Sequence, residues 1–267
     1  VDDMSNAVTG LPEGVESRSV LPGLCQHYDH SIDPRNPRLV FINSDFAHAN
    51  LLKLISKGLF ETVFHLAAKP RVEWSVENPL VSTDENFTKV LKLAKACADG
   101  KSRLIFSSTA AVYGNTDVLP TIEETAKFPE SPYGLSKLCT EQYLELFEKL
   151  YGLDWAALRY FNVYGPAQPG DSPYSTVVSA WCSKALNNEP LRSDGDGNQT
   201  RDMVHVYDVV AANIVVAAHS SITDRILNVG SGVSMCNNAI RRYFIDRGYD
   251  KVVHAPSRPG DVRATLS

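Results

Sequence analysis

Apolar and polar positions along this chain switch between two spacings. Near-continuous apolar runs at 38–42, 62–66, 103–106, 156–161 and 226–229 are what parallel strands buried on both faces require. Between them, 48–57, 80–98 and 133–151 carry apolar residues at helical spacing. In the last of these, Cys139, Tyr143, Phe147 and Leu150 fall on one stripe, the mark of an amphipathic helix. Ser131 and Pro132 supply a cap and a first-turn proline for it. Strands alternating with helices predict βαβ units and an α/β fold built on a doubly wound parallel sheet. Residues 8–37, rich in Pro, Gly and Ser, read as a loop with little regular structure. Past Gly165 the pattern changes: Pro166, Pro169, Gly170 and Pro173 precede a helical stretch near 174–187 and a polar Gly/Asp segment at 194–198. No internal repeat or low-complexity tract stands out.

With 267 residues the chain can bury a full core, as one large domain or as a domain with a small lobe. A formal net charge of −5 without a basic cluster argues against a nucleic acid or an anionic membrane as the main partner. No apolar run approaches a spanning helix and no signal-peptide pattern is present, so a cytoplasmic address is expected. Cys25, Cys97, Cys139, Cys182 and Cys236 are scattered and lack CxxC spacing. Neither a disulfide framework nor a metal site is indicated.

The sharpest chemical feature is Tyr133-Gly134-Leu135-Ser136-Lys137, preceded by Ser107-Ser108-Thr109. Four residues apart on a helix, Tyr133 and Lys137 share a face, and an ammonium beside a phenol favours its ionised form. Such a face suits proton transfer. The five-residue spacing alone is common on amphipathic helices, so its weight comes from its surroundings.

Those surroundings include Phe64-His65-Leu66-Ala67-Ala68, Asn86, the 107–114 segment, Leu158-Arg159-Tyr160-Phe161-Asn162-Val163-Tyr164-Gly165-Pro166, Thr200-Arg201-Asp202, Asn228-Val229-Gly230 and Arg258-Pro259-Gly260-Asp261-Val262-Arg263. In this order they resemble the extended short-chain dehydrogenase/reductase family, within it the nucleotide-sugar epimerase/dehydratase group, nearly end to end. The resemblance implies a Rossmann-type NAD-binding domain over 1–165 and 205–233, and a smaller α/β substrate lobe over 166–204 and 234–267. The glycine-rich turn that such a domain needs for the pyrophosphate is not found, since Gly10 and Gly14 flank Pro12 in a polar stretch. With Val at position 1 and a stop at Ser267, we expect a fragment open at both ends, lacking the first strand and helix and poorly active on its own.

By the same resemblance Thr109, Tyr133 and Lys137 are catalytic. Asp2, Asp3, Asn6, Asp45, Phe46, Leu66, Ala67, Ala68, Asn86, Ser107 and Tyr160, with Tyr133 and Lys137, would hold NAD. Phe161, Asn162, Arg201, Arg258 and Thr265, with Thr109, would hold the nucleotide sugar, most simply a UDP-linked one. Aromatic residues after a strand also read as core, and an isolated arginine as surface. Sugar dehydratases of the group carry acidic residues after the Ser/Thr, where this chain has Ala110 and Ala111; methyl groups cannot move protons. The expected activity is therefore 4-epimerisation through a 4-keto sugar. The small Thr265 keeps UDP-hexose, UDP-N-acetylhexosamine and UDP-hexuronate open as substrates. A decarboxylase, dehydratase or reductase of the same family is the alternative, and a noncatalytic nucleotide-sugar-binding fragment a further one. The helices over 80–98 and 133–151 resemble those that pair two subunits in this family, which implies a homodimer.

Overall fold

A computed structural model describes residues 29–33, 36–172, 175–219, 222–257 and 262–267. The expected ligand residues Asp2, Asp3, Asn6 and Arg258 lie outside the described residues, as do Gly10 and Gly14. The first strands, β1 (Asp29–Asp33) and β2 (Asn36–Asn43), pair antiparallel. This departs from the loop expected over 8–37. Turn-forming residues bracket a strand as readily as they replace one, and the deciding backbone partner is invisible to composition.

Helix α1 (Ala49–Ser56) leads to β3 (Thr62–His65). The helical stretch expected at 80–98 begins earlier and is broken: α2 (Val72–Glu77) and α3 (Pro79–Thr83) precede one π-helical turn, Asp84–Thr88, which runs into α4 (Lys89–Gly100). Strand β4 (Arg103–Thr109), a 3-10 turn (Ala110–Val112), α5 (Pro132–Tyr151), β5 (Trp155–Tyr160) and β6 (Asn162–Tyr164) follow. The rest is α6 (Val177–Leu186), β7 (Leu191–Asp194), β8 (Thr200–His205), α7 (Val206–Ala218), β9 (Ile226–Val229), β10 (Ser234–Cys236), α8 (Asn237–Ile245) and β11 (Val252–Ala255).

Strands β3, β4, β5 and β9 form, in that order, a parallel sheet. One face is packed by α1, α4 and α5, with Leu51, Leu93 and Leu144 in one core with Phe106 of β4; α7 covers the other with Val209 and Val216 against Ile105 and Leu158. Leu104, Ile105 and Phe106 are fully buried, as a strand sandwiched between helices requires. This is the doubly wound arrangement. Beyond the carboxyl ends of these strands, β6 and β10 flank β8, and β7 pairs with β11. Trp181, Ile240 and Phe244 form a separate small core there.

Helix α5 inverts the expected stripe. Tyr143 and Leu150 are exposed, Cys139 and Phe147 only partly covered, while Tyr133, Ser136, Lys137, Thr140, Glu141 and Leu144 face inward. Its inner face is polar because that face carries the candidate chemistry. The hydrophobic pattern marks the outer one.

Candidate active site

Ser131 caps α5, its Oγ accepting from the Gly134 amide at 3.1 Å, with Pro132 in the first turn. Gly134 lets that turn press against the turn after β4. A Cβ there would sit 2.8 Å from the Ala111 carbonyl oxygen and 3.2 Å from Pro129 Cβ, closer than side chains tolerate. The start of α5, bearing Tyr133, thus abuts the end of β4, bearing Thr109. Tyr133 is buried, and its amide donates to Ser75 Oγ. Thr109 Oγ1 accepts from the Ala111 amide at 3.2 Å, which leaves its hydroxyl hydrogen for another acceptor.

One turn on, Lys137 is 1% exposed. Its Nζ donates to the Ser107 carbonyl at 2.8 Å, lies 4.6 Å from the Phe106 ring centroid and 5.9 Å from that of Tyr133. Burial pulls its pKa from 10.5 to about 7, against the opposing pull of Glu141, because a desolvated ammonium is costly. His65, at the end of β3, is sandwiched between Phe46 and Phe106. Burial and then the Lys137 charge depress its pKa to about 3, so it is neutral, and its Nε2 has no hydrogen-bond partner among the described residues.

The second tyrosine, Tyr160, is committed elsewhere. Its hydroxyl lies 3.2 Å from Ser107 Oγ and accepts from Asn213 Nδ2 on α7 at 2.7 Å. Burial pushes its pKa up, so it stays a phenol.

The other expected ligand residues divide into exposed and engaged ones. Leu66 and Ala67 are exposed beyond the carboxyl end of β3, with Ala68 partly covered; small side chains there leave the backbone open to close approach. Asn86, in the π turn, is fully buried: its Oδ1 accepts from the Lys69 amide, and its Nδ2 donates to the Lys69 carbonyl and Ser82 Oγ. It shapes the loop after β3 from beneath. Asp45 accepts from the Ala47 amide and pairs with Lys89 at 2.6 Å, while Phe46 packs on the core. Phe161 is likewise core, with Val112 and Tyr113.

Asn162 and Thr265 meet, Thr265 Oγ1 lying 3.5 Å from Asn162 Oδ1 and accepting from the Asp202 amide. Arg201, on β8 beside Asp202, donates to the Thr200 carbonyl. Asp202 is fully buried and accepts from the Ser231, Gly232 and Ser267 amides, which ties β8 to the segment after β9 and to the last residues. Nothing in the motif reading assigned it that task. Glu141, Arg159 and Asn213 were also missed as supports, since a charged or amide side chain in sequence reads as exposed.

Polar residues therefore gather where β3, β4 and β5 end, the crevice that open α/β sheets use for ligands. The donor set suits a dinucleotide at its nicotinamide end: a buried ammonium with hydrogens beyond its single carbonyl partner, and an open small-residue loop. Among the described residues no cluster could hold a metal ion and no helix is long and apolar enough to cross a membrane.

Residues 25–230 match the family model described as the NAD dependent epimerase/dehydratase family. A curated relative, a putative UDP-glucose 4-epimerase of Methanocaldococcus jannaschii, is 38% identical over 74% of this chain, and the match spans 64% of that relative's length. The UDP-N-acetylglucosamine 4-epimerase of Methanobrevibacter ruminantium, solved with UDP-N-acetylmuramic acid, is 38% identical with a TM-score of 0.77, over 85% of this chain and 73% of that one. The UDP-glucose 4-epimerase of Thermus thermophilus, solved with NAD, is 31% identical with a TM-score of 0.76, over 84% of this chain and 74% of that one.

The Lys137 burial has a consequence for stability. Between pH 7 and 10.5 the unfolded chain holds a proton that the folded Lys137 has lost, so its contribution to stability rises with pH across that window. Urea unfolding of the wild type and Lys137→Met from pH 6.5 to 9.5 should show the wild type gaining on the variant as pH rises. A constant difference would mean that Lys137 is not desolvated.

Proposed function

The chain belongs to the NAD-dependent epimerase/dehydratase family, an extended branch of the short-chain dehydrogenases/reductases, and on that premise we propose that it is a nucleotide-sugar 4-epimerase. The observation that carries the reading is the buried Lys137 beside Tyr133 at the end of β4, followed by Ala110 and Ala111. Tyr133 takes the proton from the sugar C4 hydroxyl, with Thr109 holding that oxygen, as the C4 hydrogen departs with its electron pair. NAD, when bound, supplies the acceptor of that hydride and its later donor. Lys137 in its protonated form sets positive charge beside the phenolate, and Tyr160, fixed by Ser107 and Asn213, shapes the pocket without competing as a base. Once the keto sugar has turned over and C4 is reduced again from its other face, Tyr133 would give the proton back to the C4 oxygen, with Thr109 again holding that oxygen. Without an acid at 110 or 111, elimination of water has no proton source there.

The cofactor domain would comprise 1–165 and 205–233, and the substrate lobe 166–204 and 234–267. Asn162, Arg201, Arg258 and Thr265 would meet the nucleotide sugar, the arginines by forked bonds to its diphosphate; Ala67, Ala68 and Asp45 would meet NAD. A UDP-linked hexose, N-acetylhexosamine or hexuronate fits the small Thr265, and a cytoplasmic setting would supply both ligands. A homodimer through α5 is supported by its outer stripe, where Leu135, Tyr143, Leu146 and Leu150 are exposed, as are Leu80 and Val81 of α3, a helix packed against α5. Contiguous exposed apolar surface is the usual mark of a protein–protein contact.

Incubation with a panel of nucleotide sugars and NAD, read by NMR, should give a C4 epimer and no carbon dioxide. Tyr133→Phe should lose at least ~100-fold in turnover while unfolding at the same temperature; near-normal turnover would remove it from the mechanism. Leu146→Glu should halve the mass seen by sedimentation, and an unchanged mass would exclude α5 as the interface.

A further inference from the structure

Glu141 lies one turn after Lys137 on α5 and is 2% exposed. Arg159, 1% exposed on β5, forks onto it, Nε to Oε1 at 3.0 Å and Nη2 to Oε2 at 2.6 Å, and Ser108 Oγ donates to Oε1 at 2.5 Å. Ser108, Arg159 and Asn228 are register neighbours across β4, β5 and β9. Arg159 Nη1 continues to the Tyr113 hydroxyl at 2.8 Å and the Glu123 carbonyl at 3.1 Å. The Tyr113 hydroxyl donates to Asn228 Oδ1, and Asn228 holds the Thr121 carbonyl and the Glu123 carboxylate. One ion pair thus bolts together the helix of Tyr133, the strand end of Thr109 and the segment leaving the Ala110–Val112 turn.

Folding alone does not demand such a pair, because well-packed apolar residues often replace a buried one without loss of stability. Its neighbourhood is more telling. Around Lys137 stand Tyr133 and Glu141 on its own helix, neutral His65 on β3, and the Ser107 carbonyl and Phe106 ring on β4; on β5, the protonated Tyr160 meets the Ser107 side chain and Arg159 is joined to Glu141. Glu141 is the carboxylate one turn from Lys137 on the same buried face of α5, and its charge raises the Lys137 pKa against the larger, opposite pull of burial.

We propose that Glu141, gripped by Arg159 and Ser108, is a positioning residue for the proton-transfer site: it keeps Lys137 charged beside Tyr133 and fixes the Tyr113 segment against the end of β4. The proposal rests on the reading of Tyr133 as the base, but its test does not need turnover.

Lys137 is titrated in the full chain by NMR of 13Cε-labelled lysine, wild type against Glu141→Gln. The midpoint of Lys137 should fall by one pH unit or more in the variant, about ten-fold in proton affinity, with the other lysines unmoved. An unmoved Lys137 midpoint overturns the proposal, whether or not the protein converts nucleotide sugars. A lowered midpoint in a protein that converts none supports the pair's role and counts against the proposed function instead. If Glu141→Gln leaves Arg159 unpaired and the chain fails to fold by circular dichroism, Glu141→Met with Arg159→Met removes both charges at similar volume. There the midpoint should still fall, and constancy again overturns the proposal.

Discussion

Everything at this site depends on keeping one ammonium out of water. Lys137 gives up its hydration for the Ser107 carbonyl and the faces of Phe106 and Tyr133, a trade that burial makes unfavourable and that pulls its pKa to about 7. A charge that weakly held changes with small displacements of its neighbours. The capped first turn of α5, the close approach permitted by Gly134 and the Glu141–Arg159 pair all act on where the ammonium and phenol lie.

The same demand explains the unusual division of α5. A helix ordinarily packs its apolar stripe on the sheet and turns polar residues to water. Here the sheet side carries Ser136, Lys137, Thr140 and Glu141, each with a specific partner; Leu138 meets only the small Val112, Tyr113 and Phe161 cluster, and Leu144 joins the main core three turns in. Leu135, Tyr143, Leu146 and Leu150 point outward, where the proposed second subunit would cover them. On the proposed reading, catalytic and assembly faces share one helix, and its register would be fixed from both sides.

How much of this can be read from sequence follows from how local each feature is. The strand runs at 62–66, 103–106, 156–161 and 226–229 and the Tyr133/Lys137 spacing depend on neighbours within a turn or a strand, and they appear where expected. Strand β1 and the π turn depend on partners far along the chain, Asp29 on Asn43 and Asn86 on Lys69. Glu141 and Arg159 are harder still, because each looks like a surface charge until the other is seen beside it. Phe46 and Phe161, expected at ligands, pack as core; an aromatic residue after a strand reads the same in either role. The family resemblance singles out Thr109, Tyr133 and Lys137 as the proposed catalytic triplet, and the geometry adds the buried supports behind them.

The most direct test of the account follows one hydrogen. A nucleotide hexose carrying deuterium at C4, converted in ordinary water with NAD present, should give its C4 epimer with the deuterium still on C4, since the hydride that leaves is the one that returns. An epimer that has exchanged the label for solvent hydrogen, or a product that has lost water or carbon dioxide, would contradict it.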